Sequence, residues 1–470
     1  MHKQQEKQQR PSFIALFKTA LKGGNQDYTT GSIGVAAFIL AVPMVLEMLM
    51  ESVFAITDIF FVSGLGAQAV AVVGLTEAVL TLLYAIAVGL SMSVTAMIAR
   101  RYGEKEYEQA NDVAGQTLWI GMAVALVVGF VGLNYADDIL RLMGGDEGLV
   151  AAGRSYTTIM LTGSITILYL FLINAIFRGA GDASIAMRSL WLANGINIVL
   201  DPLLIYGIGP FPEMGLTGAA VATNIGRGIG VCYQLYYLFG LNGRIQIHLQ
   251  HLLLKLAIIK RLLSLSVFGV LQFIISTASW IALVRIVSTY GPEATAGYTI
   301  AIRIFIFIIL PAWGLSNAVA TLVGQNLGAE KPDRAEQSVR RIAKYNIIYM
   351  VSVAVILLVF ANPLIRVFTS DPEVIAYGVD CLRLISLGNG FFAIGMILIQ
   401  AFNGAGDTKT PTKVNFVCYW LLQIPLAYTL AKILAFGPQG VFISVVAAQA
   451  FFAWIGWKLF TRGDWKFKLV

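Results

Sequence analysis

The chain has 470 residues, of which 57% are hydrophobic and only 13% are charged, and its formal net charge is +7. The charged residues gather in short stretches between apolar runs of roughly twenty residues or more. This distribution excludes a soluble globular enzyme, a disordered chain and a fibrous repeat. It also excludes an outer-membrane barrel, whose strands alternate polar and apolar residues. We therefore expect an all-α integral membrane protein.

The first 32 residues are polar and basic, and they are too long and too polar for the charged start of a cleaved signal peptide. Phe13, Ile14 and Phe17 recur in this segment at helical spacing. The spacing predicts a short amphipathic helix at the membrane interface.

Twelve apolar segments follow the basic segment. They span residues 33–62, 68–98, 113–135, 150–175, 184–208, 216–240, 262–289, 294–323, 341–361, 375–400, 412–436 and 440–460. Each is long enough to cross a bilayer, which takes about 20 residues in a helix. The sequence thus predicts about twelve transmembrane helices.

The connections between these segments alternate in charge. Basic residues such as Arg100, Arg101 and Arg334 gather in every second connection, whereas the loops at 63–67 and 209–215 contain no lysine or arginine. Basic loops stay on the cytoplasmic side of a membrane. We therefore expect a multi-pass protein of the plasma (inner) membrane with both termini in the cytoplasm, and we attribute the positive charge to orientation rather than to nucleic-acid binding.

An internal repeat divides the chain in two. The stretch FRGAGD at 177–182 recurs as FNGAGD at 402–407, and the same offset of 225 positions relates several further glycines. The repeat predicts two pseudo-symmetric six-helix lobes, related by an axis along the membrane normal. We place the N-lobe at 33–240, a cytoplasmic linker at 241–260, the C-lobe at 261–460 and a cytoplasmic tail at 461–470.

Ionisable residues within the spans are the functional candidates, since each costs about 2.5–3.5 kcal/mol to insert at the bilayer centre. Glu47, Glu51 and Asp58 share one face of the first span, and Asn197 and Asp201 share one face of the fifth. Hard oxygen ligands of this kind suit a small cation, and a buried carboxylate can instead carry a proton. The predicted ion-coupling residues are Asp58, Asn174, Asn197, Asp201 and Thr223, of which Asp58, Asn197, Asp201 and Thr223 are the candidate Na⁺ ligands.

The repeat assigns this site to one lobe. At the offset of 225, Asp58 corresponds to Leu283 and Asp201 to Leu426. Glu47 and Glu51 are secondary acidic candidates, which could instead pair with an arginine such as Arg178, Arg188 or Arg227. A polarisable wall for the substrate cavity is predicted from Met48, Phe54, Tyr84, Phe273 and Trp280. We expect the Arg285 and Arg303 side chains to form ion pairs or to snorkel toward the membrane surface. Contact with an anionic substrate is the alternative.

Several stretches resemble the multidrug and toxic compound extrusion (MATE) family. They are Pro43, TDIFFV at 57–62 with GLG at 64–66, residues 177–182, NIVLDP at 197–202, GAAVAT at 218–223, and residues 402–407. The resemblance implies a secondary antiporter that exports organic, often cationic, compounds in exchange for Na⁺ or H⁺. It places the coupling ion at Asp58, Asn174, Asn197, Asp201 and Thr223, and it implies no other cofactor. The seventh and eighth spans lack an acidic residue, which favours the branch of DNA-damage-inducible and archaeal members.

Two other functions compete with this interpretation. A flippase for a lipid-linked precursor would need a basic central cavity for its diphosphate. A membrane-embedded enzyme would need a nucleophile and base or a metal cluster near one interface, and the sequence contains no such group. We expect small organic molecules and the lipid bilayer as the only partners, no nucleic acid, and a monomer.

Overall fold

The computed structural model describes residues 12–24, 26–240, 243–468 and 470. Residues 1–11 and 25 of the basic N-terminal segment and the first two linker residues therefore lie outside the described residues. Within the described residues the structure is helical and contains no strand.

The chain forms sixteen α-helices within the described residues. Their bounds are α1 Phe13–Lys22, α2 Ile33–Ser63, α3 Ala67–Gly103, α4 Tyr107–Leu142, α5 Glu147–Thr162, α6 Ser164–Ala180, α7 Ala183–Tyr206, α8 Gly215–Phe239, α9 Leu256–Val287, α10 Pro292–Gly328, α11 Pro332–Arg366, α12 Pro372–Ser386, α13 Asn389–Gly404, α14 Lys409–Asn415, α15 Ile424–Tyr428 and α16 Pro438–Arg462. Short 3₁₀ turns lie at Leu249–Leu252, Ser288–Tyr290 and Asp464–Phe467, and π-helical turns at Phe416–Gln423 and Thr429–Ile433.

These helices form the twelve predicted spans. Ten continuous helical segments among the described residues are long and apolar enough to cross a membrane, and α12 with α13 forms an eleventh span that is bent by 56°. Helix α8 supplies the twelfth; it has 25 residues, but Thr223, Arg227 and Gln234 lower its hydropathy. The predicted all-α membrane fold is confirmed.

Both copies of the repeated GAGD stretch end one helix and begin the next. Gly181 and Gly406 adopt the left-handed conformation, with φ of 85° and 81°, which a glycine tolerates without strain. Asp407 then accepts hydrogen bonds from the backbone and the hydroxyl of Thr410. The repeat is thus a helix stop and not a phosphate-binding loop.

The pseudo-symmetry is visible where the lobes touch. Gly103 at the end of α3 lies against Gln325 of α10, and Gly328 at the end of α10 lies against Arg100 of α3. Position 325 is the repeat counterpart of position 100, and position 328 is the counterpart of position 103. The offset of 225 therefore converts each of these two contacts into the other. Such reciprocal contacts are what a two-fold axis between α3 and α10 requires.

A second reciprocal pair lies deeper in the bundle. A Cβ added to Gly89 would lie 2.5 Å from the Val270 nitrogen, and one added to Gly314 would lie 2.8 Å from the Val45 Cα. Only glycine allows backbones to approach so closely, as in other membrane helix pairs. The glycines therefore let α3 pack on α9 and α10 on α2, which are the main contacts between lobes.

Hydrogen bonds join the two lobes at one end of the bundle. We call this the basic end, because it carries the connections with Arg100, Arg101 and Arg334. There Thr321 donates to the Arg178 carbonyl at 2.9 Å and Gln325 to the Gly179 carbonyl at 3.0 Å. Ser93 and Ser266 also share a hydrogen bond at 2.7 Å, and Asn403 donates to the Met92 sulfur at 3.6 Å, in the same half of the bundle.

The terminal segments cross the seam at the basic end. Tyr28 donates to the Gly181 carbonyl of the N-lobe at 2.9 Å, while Arg334 of the C-lobe donates to the Tyr28 carbonyl at 3.2 Å. On the C-terminal side, Arg101 donates to the Val470 carbonyl at 3.2 Å. Helix α1 precedes this seam and exposes Phe13 and Ile14, as its amphipathic pattern predicts.

Candidate ion and substrate site

A cluster of polar side chains lies inside the N-lobe, toward the opposite end. The Asn197 amide donates to Asp201 Oδ1 at 3.2 Å and to Thr223 Oγ1 at 3.1 Å. Asp58 of α2 lies close enough for its charge to act on Asp201. We call Asp58, Asn197, Asp201 and Thr223 the distal cluster. It joins helices α2, α7 and α8, and Asn197 and Asp201 lie one turn apart on one face of α7.

The distal cluster has the composition of a cation site. Asp201 is fully buried and Asn197 is 2% exposed, yet Asp201 Oδ2 and Asn197 Oδ1 have no hydrogen-bond donor within the described part of the chain. Buried acceptors without a partner are costly, and two carboxylates in one pocket repel each other. A bound Na⁺ or a proton would relieve both costs, so these residues fit the predicted ion.

Asn174 belongs to a different cluster. Its amide donates to Glu47 Oε1 at 3.2 Å, and its carbonyl accepts from Ser189 at 3.1 Å and from Gln234 at 2.6 Å. Arg178 also donates to Glu47 Oε1, at 3.0 Å. We call Glu47, Asn174, Arg178, Ser189 and Gln234 the proximal cluster. The structure thus separates Asn174 from the other four predicted ion-coupling residues and gives Glu47 the arginine partner that was its alternative.

A third set of charges lies between these two clusters. Asn194 donates to Glu51 at 3.3 Å, and Arg227 donates to the Tyr84 hydroxyl at 3.2 Å. The charge of Glu77, on α3, acts on both Arg227 and Asp58. Sequence reasoning missed Glu77, although an acidic residue inside the second span was sufficient to find it by the insertion cost.

A central cavity between the lobes has two connected chambers. The polar chamber, of about 240 Å³, is lined by both lobes and contains two glutamates and two arginines: Glu47, Glu51, Arg178 and Arg227. The aromatic chamber, of about 460 Å³, is formed mainly by the C-lobe, and its described lining has no charged side chain. The two chambers share Val88, Met92, Trp313 and Gln400.

The predicted cavity residues divide between these places. Met48 lines the polar chamber, and Phe273 and Trp280 line the aromatic chamber. Phe54 and Tyr84 instead contact Arg227: the Arg227 guanidinium carbon lies 5.8 Å from the Phe54 ring centre.

Arg285 and Arg303 of the C-lobe line neither chamber. Arg303 lines an exposed groove beside Gly291 and Phe368, at the opposite end. Among the ion pairs within 4.0 Å that the described residues form, none includes Arg285 or Arg303.

Two pseudo-symmetric bundles around a cavity that both lobes line are the architecture of a two-lobed membrane transporter. The MatE family model matches residues 43–203 and 270–429, one segment in each lobe and more than half of the chain. The chain belongs to the MatE family.

Relatives and solved structures agree with this assignment over nearly the whole chain. The probable multidrug resistance protein NorM of Thermotoga maritima is 27% identical over 92% of this chain and 93% of its own length. A multidrug resistance MATE family transporter of the MOP superfamily, solved in an outward-facing conformation, superposes with a TM-score of 0.88 at 26% identity, covering 93% of this chain and 98% of that one. A MOP superfamily transporter from Pyrococcus furiosus gives the same TM-score and identity over 94% of this chain and 98% of that one.

Proposed function

We propose that this chain is a multidrug efflux antiporter, which exports small organic compounds in exchange for Na⁺ or H⁺ by alternating access. The observation that carries the proposal is the distal cluster: two carboxylates and two unpartnered buried oxygens beside a cavity that both lobes line. Relatives such as the multidrug export protein MepA of Staphylococcus haemolyticus, which is 22% identical over 91% of this chain, support drug export.

The polar chamber favours cationic substrates. Glu47 is neutralised by Arg178, whereas the hydrogen-bond partner of Glu51 among the described residues is the neutral amide of Asn194. An organic cation can pair with Glu51 while its apolar part enters the aromatic chamber, where rings offer cation–π and stacking contacts. A diphosphate carrier would need a net basic cavity, so the equal number of glutamates and arginines argues against the flippase alternative.

We propose the following transport cycle. A Na⁺ or a proton that enters from the opposite end binds the distal cluster and reduces its negative charge, and the substrate leaves the adjacent cavity. The lobes then rock, the basic end opens, and the ion dissociates as a new substrate binds. By the distribution of basic loops, we place the basic end and both termini in the cytoplasm and the chain in the plasma (inner) membrane. One chain supplies both lobes, so we propose a monomer as the transporting unit.

Efflux from proteoliposomes tests this function directly. Purified protein is reconstituted with a fluorescent organic cation, and Na⁺ and pH gradients are imposed separately. We expect one of the two gradients to drive efflux against the substrate gradient. Efflux that responds to neither gradient would contradict the antiport proposal.

A further inference from the structure

One arginine lies between the candidate ion site and the cavity. Arg227 is four residues after Thr223 on α8 and hence on the same helix face, one turn of about 5.4 Å closer to the basic end. Its guanidinium lines the polar chamber, donates to the Tyr84 hydroxyl at 3.2 Å and lies 5.8 Å from the centre of the Phe54 ring. Phe54 is itself one turn from Asp58 on α2.

The charge of Arg227 has no direct partner. No carboxylate of the described residues lies within 4.0 Å of it, and its Nη1 is buried without a hydrogen-bond acceptor. Yet three carboxylates are close enough for their charges to act on the guanidinium: Glu51 on the cavity side, Asp58 on the ion-site side, and Glu77. A buried guanidinium normally pairs with a carboxylate, because leaving it unpaired is costly.

The position between several carboxylates gives Arg227 two alternative partners. A rotamer change of a long side chain moves its tip by several ångströms. Arg227 lines the same chamber as Glu51 and shares a helix face with Thr223 of the distal cluster. A cation bound at the distal cluster would repel it toward Glu51. A cationic substrate on Glu51 would repel it toward Asp58.

We propose that Arg227 is a tethered cation that makes ion binding and substrate binding mutually exclusive. It occupies the Asp58 side while substrate is bound, and it moves to Glu51 and displaces the substrate when the coupling ion enters the distal cluster. This inference rests on the proposed antiport. It adds a positioning residue that carries the competition from the ion site to the cavity.

The two neighbours of the guanidinium explain why it can hold its intermediate position. The Phe54 ring attracts a cation from its face, and the Tyr84 hydroxyl accepts one of its N–H groups. In the C-lobe the position at the offset of 225 is Phe452, which is 2% exposed and packs within an apolar cluster. The switch is therefore a feature of the N-lobe alone.

Thermal unfolding in detergent tests the inference through ion binding. At a fixed pH of about 8, the unfolding temperature is followed as NaCl replaces choline chloride, since a ligand that binds the folded state stabilises it by mass action. We expect Arg227→Gln to reach half of its Na⁺-dependent shift at about tenfold lower Na⁺ than the wild type, because removing a nearby positive charge strengthens cation binding. Glu51→Gln should act in the opposite direction, because Arg227 then stays beside Asp58.

Transport and control variants separate the outcomes. Arg227→Gln should lose gradient-driven efflux while it still binds Na⁺, Arg227→Lys should retain both, and Arg141→Gln, an exposed arginine near the opposite end, should resemble the wild type.

If Arg227→Gln fails to fold, Glu51→Gln is compared with Glu77→Gln, which removes the same charge near Arg227 but lines neither chamber. Weaker Na⁺ binding in Glu51→Gln than in Glu77→Gln supports the inference, and equal shifts overturn it. Wild-type Na⁺ affinity and coupled efflux in Arg227→Gln and Glu51→Gln would overturn the inference alone. If the wild type shows no Na⁺-dependent shift, sodium coupling is wrong, and the same comparison is made with pH in place of Na⁺; a wild-type pH dependence in both variants then overturns the inference.

Discussion

The two lobes of this transporter share a backbone frame but differ in their interior charges. At the offset of 225, seven charged residues inside the N-lobe correspond to uncharged residues of the C-lobe: Glu47 to Gln272, Glu51 to Ser276, Asp58 to Leu283, Glu77 to Ile302, Arg178 to Asn403, Asp201 to Leu426 and Arg227 to Phe452. The helix lengths and the reciprocal glycine contacts are nevertheless preserved. Glycines and apolar residues therefore build the frame, and the charges add function to one half of it.

One pair of positions shows how closely the two interiors are related. In the N-lobe, Arg178 donates to Glu47 at 3.0 Å, and in the C-lobe Gln272 donates to Asn403 at 3.1 Å. The same two positions are joined by an ion pair in one lobe and by an amide pair in the other. A neutral hydrogen bond is thus sufficient to join the helices at this place, and packing alone does not require the ion pair.

The largest loss of transport is expected when a charge that has no counterpart in the C-lobe is removed. Asp201→Asn should abolish the drug resistance that the chain confers on a hypersensitive host, because the distal cluster loses a carboxylate that the coupling ion needs. Susceptibility assays with matched expression levels measure this. Asp138→Asn, the same change at an exposed position, is the control, and equal resistance from the two variants would contradict the comparison.

Exchanging the ion pair for the amide pair sharpens the comparison. Glu47→Gln alone should lower the free energy of unfolding by about 3–5 kcal/mol, because it leaves Arg178 without a countercharge in a buried site. Glu47→Gln with Arg178→Asn copies the C-lobe pair and should recover most of that loss. Unfolding of the two single variants and the double variant forms a cycle. Additive losses would show that the two residues are not coupled.

The reciprocal glycines test the part of the comparison in which the lobes are alike. Gly89→Ala and Gly314→Ala should each cost about 1–3 kcal/mol by overpacking, and by similar amounts. Gly74→Ala, on the same helix as Gly89, is the control, because an added Cβ there meets nothing within 4 Å. Thermal unfolding measures all three. A large difference between Gly89→Ala and Gly314→Ala would break the pseudo-symmetry.

The smallest effect is expected for charges outside both interiors. Lys466 pairs with Glu336 at 2.6 Å near the surface, so Lys466→Ala should cost less than about 1 kcal/mol. Hydrogen bonding to Glu336 holds the pKa of Lys466 above its ordinary value. The contribution of the Lys466–Glu336 pair to the free energy of unfolding is therefore complete below a pH of about 10.4, and it is lost as the pH rises through the raised pKa of Lys466. Unfolding at pH 8 and pH 11 measures it, and a loss above 3 kcal/mol would be unexpected for a surface pair (about 0–1 kcal/mol).

The fold could be predicted from the sequence because its causes are local. Apolar runs fix the spans, and a repeated GAGD stretch with one constant offset fixes the two lobes. Part of the distal cluster could also be predicted, since Asn197 and Asp201 are one turn apart on one helix. The position of Asn174 could not be predicted, because its partners Glu47 and Gln234 come from other helices.

The two roles of the arginines also needed the structure. Sequence reasoning treated Arg178 and Arg227 alike, as partners for Glu47 or Glu51. Helix rotation decides that Arg178 meets Glu47, whereas Arg227 points at a tyrosine and a phenyl ring. Rotation depends on packing across the whole bundle, which no local pattern encodes.

The central claim is that one lobe alone holds the ion that drives export. Asp58→Leu combined with Asp201→Leu gives the N-lobe the residues of the C-lobe at these positions, and efflux from proteoliposomes under imposed Na⁺ and pH gradients compares it with the wild type. We predict that the wild type responds to one gradient and that the double variant, though folded, responds to neither. Gradient-driven efflux by the double variant at the wild-type rate would contradict the account.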